Sequence, residues 1–133
     1  MSNLYDYSST PGSNTSSPPN GAPEACAPSA VNDILREMMA CMAGAFTTYT
    51  AGGSGNAQTV TMAPTLAAYS TKVTIWFIPV ANNTGACTLN VNGLGAKSIK
   101  LMDGTDPAAG DLNTNGIAMV KYNGTNFILL NPA

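Results

Sequence analysis

Histidine is absent from this 133-residue chain. That absence removes Ser/His/Asp and Cys/His nucleophile systems, and with them the common mixed-ligand zinc sites. Charge is nearly as scarce: five basic and seven acidic residues amount to 9% of the chain, against roughly 25% in an ordinary soluble domain. The basic residues Arg36, Lys72, Lys97, Lys100 and Lys121 do not cluster, and the net charge is −2. A surface that follows a phosphate backbone is therefore not expected, nor is nucleic acid as a partner. Cys26, Cys41 and Cys87 match no zinc or redox spacing. They read as buried free thiols, the odd count leaving inter-subunit pairing open in an oxidised assembly. No cofactor is expected. The longest apolar run, residues 73–81, contains Pro79 and falls far short of the roughly 20 residues a membrane span needs. The N-terminus lacks the basic and apolar regions of a signal peptide, so the expectation is a chain made in a cytoplasm and soluble until assembled, with no membrane partner.

What is present is small and polar. Gly, Asn, Thr and Ser are abundant, a composition suited to surfaces that meet other copies of themselves, where buried charge would cost desolvation energy. An oligomer is expected, built from protomers with one modest core each.

Three segments follow from the composition. Residues 1–27 hold Pro11, Pro18, Pro19 and Pro23 among Ser, Thr, Asn and Gly, too little apolar area to offset chain entropy, so this arm is expected to be extended. Its apolar exceptions, Leu4, Tyr5 and Tyr7, together with Pro11, are candidate anchors that fill pockets on a partner. Residues 28–50 carry a predicted helix over 29–45, capped by Ser29, with Gly44 near its end. Val31, Leu35, Met38, Met42 and Ala45 form a two-heptad seam, widened by Ile34, Met39, Cys41 and Phe46. Val31, Ile34, Leu35, Met38, Met42 and Phe46 are the candidate oligomerisation residues, with packing of the helix on its own sheet as the competing use of the same face.

Residues 51–133 open with Ala51-Gly52-Gly53-Ser54-Gly55, which reads as a flexible linker. Strands are predicted at 58–62, 71–78, 87–91, 97–102, 117–122 and 126–130. They are separated by turn sequences at Asn82-Asn83-Thr84-Gly85, Asn92-Gly93, Asp103-Gly104 and Asn123-Gly124. Both Asn92-Gly93 and Asn123-Gly124 are read as two-residue type I′ turns. The fold class expected is mainly β: an N-terminal arm, one α-helix, then a small antiparallel sandwich or barrel-like domain, in a trimer. Trp76 is assigned to the core because of its size. Asp103, Asp106 and Asp111 share one loop, but their spacing misses the EF-hand register and suits turns better than a metal or catalytic pair.

The phrases Thr88-Leu89-Asn90-Val91-Asn92-Gly93-Leu94-Gly95-Ala96-Lys97-Ser98-Ile99 and Tyr122-Asn123-Gly124-Thr125-Asn126-Phe127 resemble β-rich modules of bacteriophage tail fibres. The stretch Ala27-Pro28-Ser29-Ala30-Val31-Asn32-Asp33-Ile34-Leu35-Arg36-Glu37-Met38-Met39 is similar to the virion-proximal end of the same proteins. The resemblance implies a non-enzymatic homotrimer, made in a host bacterial cytoplasm and docked to other virion proteins of tail or capsid through its N-terminal arm. Gly21-Ala22-Pro23-Glu24-Ala25-Cys26 departs from the family's more apolar lead-in to the helix. The sequence also ends at Ala133, where longer relatives continue into shafts and receptor-binding tips, so host recognition is expected to lie in another protein. A capsid decoration or head-fibre protein of the same build is the alternative, and a carbohydrate-binding module is the rival from another class.

Overall fold

The computed structural model describes residues 3–16 and 22–133. Parts of the 1–27 arm, including Pro18, Pro19 and Gly21, lie outside the described residues. Helix α1 runs Pro28–Phe46, followed by strands β1 Thr48–Thr50, β2 Gly52–Ser54, β3 Ala57–Val60, β4 Thr74–Ile78, β5 Cys87–Val91, β6 Ala96–Lys100, β7 Ala118–Tyr122 and β8 Phe127–Leu129. The protein is mainly β, as expected, and six of its strands fall where alternation places them.

The eight strands make one sheet in the order β1-β4-β7-β8-β6-β5-β3-β2. Its edge strands β1 and β2 are consecutive in sequence, with only Ala51 between them. A flat sheet of this width would hold its edges roughly 34 Å apart, at about 4.8 Å per strand spacing. The two peptide units from Thr50 to Gly52 can reach at most about 7 Å. The sheet must roll up, and a nearly closed barrel results. This corrects the reading of residues 51–55 as a linker. Gly52–Ser54 pairs with Ala57–Val60 as an antiparallel hairpin, and the sheet begins at Thr48, before residue 51. Three pairings, β1 with β4, β3 with β5 and β6 with β8, are parallel, so the sheet is mixed.

Alternation decides what fills the barrel. Ile75, Phe77, Leu89, Val91, Ile99, Val120, Phe127 and Leu129 point inward and are essentially inaccessible. Tyr69, Tyr122 and Phe127 meet there with ring centroids 5.2 to 5.5 Å apart. Trp76 has the opposite phase to Ile75 and Phe77 and stays 41% exposed on the outer face, opposite Met119 on β7. The core assignment for Trp76 is thereby corrected: pleat register outweighs side-chain size.

The seam is closed by side chains where the ladder ends. Gln58, 1% exposed, donates to the carbonyls of Gly55 and Ala81 and accepts from the Val80 amide, tying the β2–β3 hairpin to the chain just beyond β4. Asn56 and Thr84 exchange two further bonds nearby. Asn83, 2% exposed, fixes the long loop before β7 through Gly85, Ala108 and Leu112.

The two Asn-Gly turns differ. Asn92 and Gly93 both have positive φ (50° and 73°), as the type I′ reading requires, and the Leu94 amide closes the turn onto the Val91 carbonyl. At Asn123-Gly124 only Gly124 does (φ 101°), and Asn123 bonds across to Asn126 as a four-residue loop. The side chain of Asn123 takes the amides of Thr125 and Asn126 and removes the need for a two-residue turn.

Gln58→Ala strands three backbone groups at the seam, and denaturant unfolding is expected to show a loss of about 2–4 kcal/mol. Gly124→Val forces a β-branched residue into the left-handed region. Its thermal melt is expected to reveal about 1–3 kcal/mol of destabilisation, and a melt matching the parent would show that the loop relaxes.

Candidate functional site

Helix α1 begins with Pro28 at its first position after Ala27, which provides no side-chain cap. Proline's fixed φ starts the helix, so Ser29 lies inside it and is not the cap. The far end turns at once into β1: the Thr47 hydroxyl donates to the Ala43 carbonyl at 2.7 Å, and the Tyr49 hydroxyl to the Gly44 carbonyl. Gly44 sits so close to the neighbouring backbone that a Cβ there would overlap the Ala63 carbonyl.

The helix has a buried face and an open apolar one. One carries Glu37, Cys41, Gly44 and Ala45, all buried against the protein's own arm and barrel. The other carries Val31 (44% exposed), Leu35 (52%), Met38 (47%), Met39 (65%), Met42 (46%) and Phe46 (80%), and it faces solvent. At 100° per residue these six span an arc of about 100°, beside the buried face and clear of Asp33 and Arg36. Those two pair with each other at 3.5 Å. Five of the six candidate oligomerisation residues are therefore open, Ile34 is half-buried, and Ala45 of the heptad seam is used internally.

The arm lies along this helix. Asn3 is fully buried: its side chain accepts from the Tyr5 amide and donates to the Pro64 carbonyl at 2.6 Å, while its own amide is taken by Asp6. That capping box opens a 3-10 turn over Leu4–Asp6. The Tyr5 hydroxyl donates to the Thr74 carbonyl at 2.6 Å, and Lys72 donates to the Tyr7 carbonyl. Tyr5 thus fills a place on the protein's own barrel, Tyr7 shares a hydrogen bond with Cys41 beneath the helix, and Pro11 starts an exposed turn. Residues 3–7 of the arm are docked, where composition alone favours an extended tail, while most of the described residues beyond them are exposed. The long-range bonds of Asn3 and Tyr5 supply what local composition lacks, and neither is visible in sequence spacing.

Between arm and helix runs an apolar groove of about 250 Å³ lined by Leu4, Tyr7, Asn14, Ala22, Ile34, Met38 and Met42. Two anchor candidates and three oligomerisation candidates thus share one surface. Sequence reasoning missed buried Asn3, which fixes the start of the arm, and the burial of Glu37 under the helix.

The acidic loop is used for turns. Asp103 accepts from the amide and hydroxyl of Thr105, which hold its carboxyl below the usual carboxylate range. Asp106 pairs with Lys100 at 2.7 Å, and Asp111 accepts from the Ala108 amide. Among the described residues no group of three or more Cys, Asp or Glu is arranged to hold a metal ion, and no helix is long and apolar enough to cross a membrane. No protein-family model matches this chain, and a comparison with curated proteins finds no match.

Cys41 and Cys87 are buried, and Cys26 is partly accessible. Burial first, then the Asp106 and Asp111 charges, pushes the Cys87 thiol from its ordinary 9.0 up to about 11. Burial likewise raises the Cys41 thiol, with the Glu37 carboxylate adding to it. In a thiol-labelling assay at pH 8 the native protein is expected to react rapidly at Cys26 alone, with all three cysteines reacting in denaturant. Because the folded Cys87 pKa lies above its unfolded value, its contribution to stability is full below pH 9 and disappears as pH rises through about 11. Burial also raises the Tyr5, Tyr49 and Tyr69 phenols, so their loss has the same sign. A melting temperature level from pH 6 to 9 and falling above pH 10 is expected.

Proposed function

We propose that this chain is a non-enzymatic structural protein of a phage virion, a short trimeric tail-fibre or fibre-anchor module. The observation that carries this reading is the solvent-facing apolar arc of α1 on a protein with so little charge. On the order of 600 Å² of apolar residue surface stands open on one helix, at or above the largest patch of a typical monomer. Such a patch is what an assembly surface requires. The phrases shared with tail fibres supply the biological setting, and the threefold symmetry comes from that resemblance. The docked arm narrows how attachment works: Tyr5 is committed to the barrel, so attachment to the particle falls to the exposed part of the arm and the barrel's outer face.

Sedimentation or native mass spectrometry of the full chain at micromolar concentration should show a trimer. Leu35→Glu, which places a charge in the centre of the arc without touching the core, should yield folded monomers with an unchanged thermal core transition. A parent protein that stays monomeric would remove this reading. Copy number on purified particles then separates the two positions, few copies on a tail or many over a capsid shell.

A further inference from the structure

We propose that Asn115 is a modification site: of the Asn-Gly pairs among the described residues, it is the one at which the folded protein converts asparagine to aspartate and isoaspartate.

Those pairs begin at Asn92, Asn115 and Asn123. Glycine after asparagine leaves the next amide nitrogen unshielded, so that nitrogen can reach the asparagine Cγ. The reaction forms the N–Cγ bond, breaks the bond from Cγ to the carboxamide nitrogen, which leaves as ammonia, and produces a five-membered succinimide. Water then opens the ring at one of its two carbonyls, giving aspartate or isoaspartate. Nothing is oxidised or reduced, and water is the only co-reactant. The step requires a carboxamide that is free to turn toward the nitrogen that follows it.

At two of the pairs the fold holds that group. Asn92 donates to the Met62 carbonyl and accepts from the Leu66 amide, both at 3.2 Å. Asn123 accepts from the amides of Thr125 and Asn126 at 3.0 and 2.8 Å. Each also sits in a turn between paired strands, β5 with β6 and β7 with β8, where Gly93 and Gly124 take φ of 73° and 101°. Ring closure would cost these turns their side-chain bonds and their backbone form.

Asn115 is held differently. It is exposed, and its carboxamide has no hydrogen-bond partner among the described residues; only its backbone amide is tied, to the Asn113 side chain. The attacking nitrogen is no freer than elsewhere, because Gly116 donates to the Asn113 carbonyl at 3.0 Å. That bond belongs to a local turn in the loop from β6 to β7, strands that are not neighbours in the sheet, so opening it disturbs no ladder. The product alters a lightly charged protein: one added carboxylate moves the net charge from −2 to −3.

The test incubates the full chain at mildly alkaline pH, native and in denaturant, and follows each pair by peptide mapping, with enzymatic methylation of isoaspartyl groups as a second readout. In the native protein Asn115 is expected to react about tenfold or more faster than Asn92 and Asn123, the factor that holding a carboxamide with two hydrogen bonds imposes. In denaturant the three rates should converge. Asn115→Gln should fold as the parent does and lose the first acidic species seen on isoelectric focusing. Native protein in which Asn92 or Asn123 keeps pace with Asn115, or in which Asn115 stays unmodified while the denatured chain reacts there, would overturn the proposal. A preference for Asn115 that persists undiminished in denaturant would overturn it too, since local sequence and not the fold would then select the site.

Discussion

Placing both edge strands of an eight-stranded sheet on either side of Ala51 leaves the sheet only one shape. It must curl until β1 and β2 meet, and every inward residue is then enclosed on all sides. Because β1 and β2 are not themselves paired, closure needs something other than backbone ladder bonds at that line. Gln58 supplies it with a carboxamide that donates twice and accepts once, matching the carbonyls and amide that the seam leaves over. A charged side chain there would pay a desolvation cost that the amide avoids.

The same logic runs through the rest of the molecule and accounts for its composition. Asn3 secures the arm, Asn83 the long loop, and Asn92 satisfies Leu66 and Met62 across a turn. Each is a neutral group with both donor and acceptor capacity, so it can satisfy irregular backbone without bringing a counter-charge into the interior. Low charge and abundant asparagine are therefore partly a consequence of how the loops are held. Low charge alone is a weaker pointer to assembly than it is beside an exposed apolar helix.

Legibility in the sequence followed the range of the interactions. Cys87 to Val91 alternates cleanly and Val73 to Phe77 does so except at Trp76, and their strands were readable because the pleat writes itself into neighbouring residues. Thr48–Thr50 and Gly52–Ser54 carry no apolar alternation; they are strands because β4 and β3 pair with them, one of the two across a parallel ladder from distant sequence. The helix ends were visible within a residue, the start through Ser29, which lies one position inside it, and the end through Gly44. Its division into a buried and an open face was not, since periodicity shows that residues share an arc and not which arc meets the barrel. Gly44 marked the buried side, but only the position of Ala63 gives that glycine its meaning.

That division bears on how the helix is held. Within the protomer, α1 is fastened by a narrow line of small or polar residues, Cys41, Gly44, Ala45 and Glu37, while its bulkiest side chains point away. At about 25 cal/mol per Å², the open arc represents on the order of 15 kcal/mol of gross burial that the isolated protomer forgoes. Association costs about 4–15 kcal/mol in lost freedom. If each copy covers most of the arc of its neighbour, the gain is of the right size to hold an assembly together. Folding of the barrel and fixing of the helix are separable in their determinants: Ala51 and Gln58 govern the first, and the close approach of Gly44 to Ala63 with the buried line of Glu37, Cys41 and Ala45 governs the second.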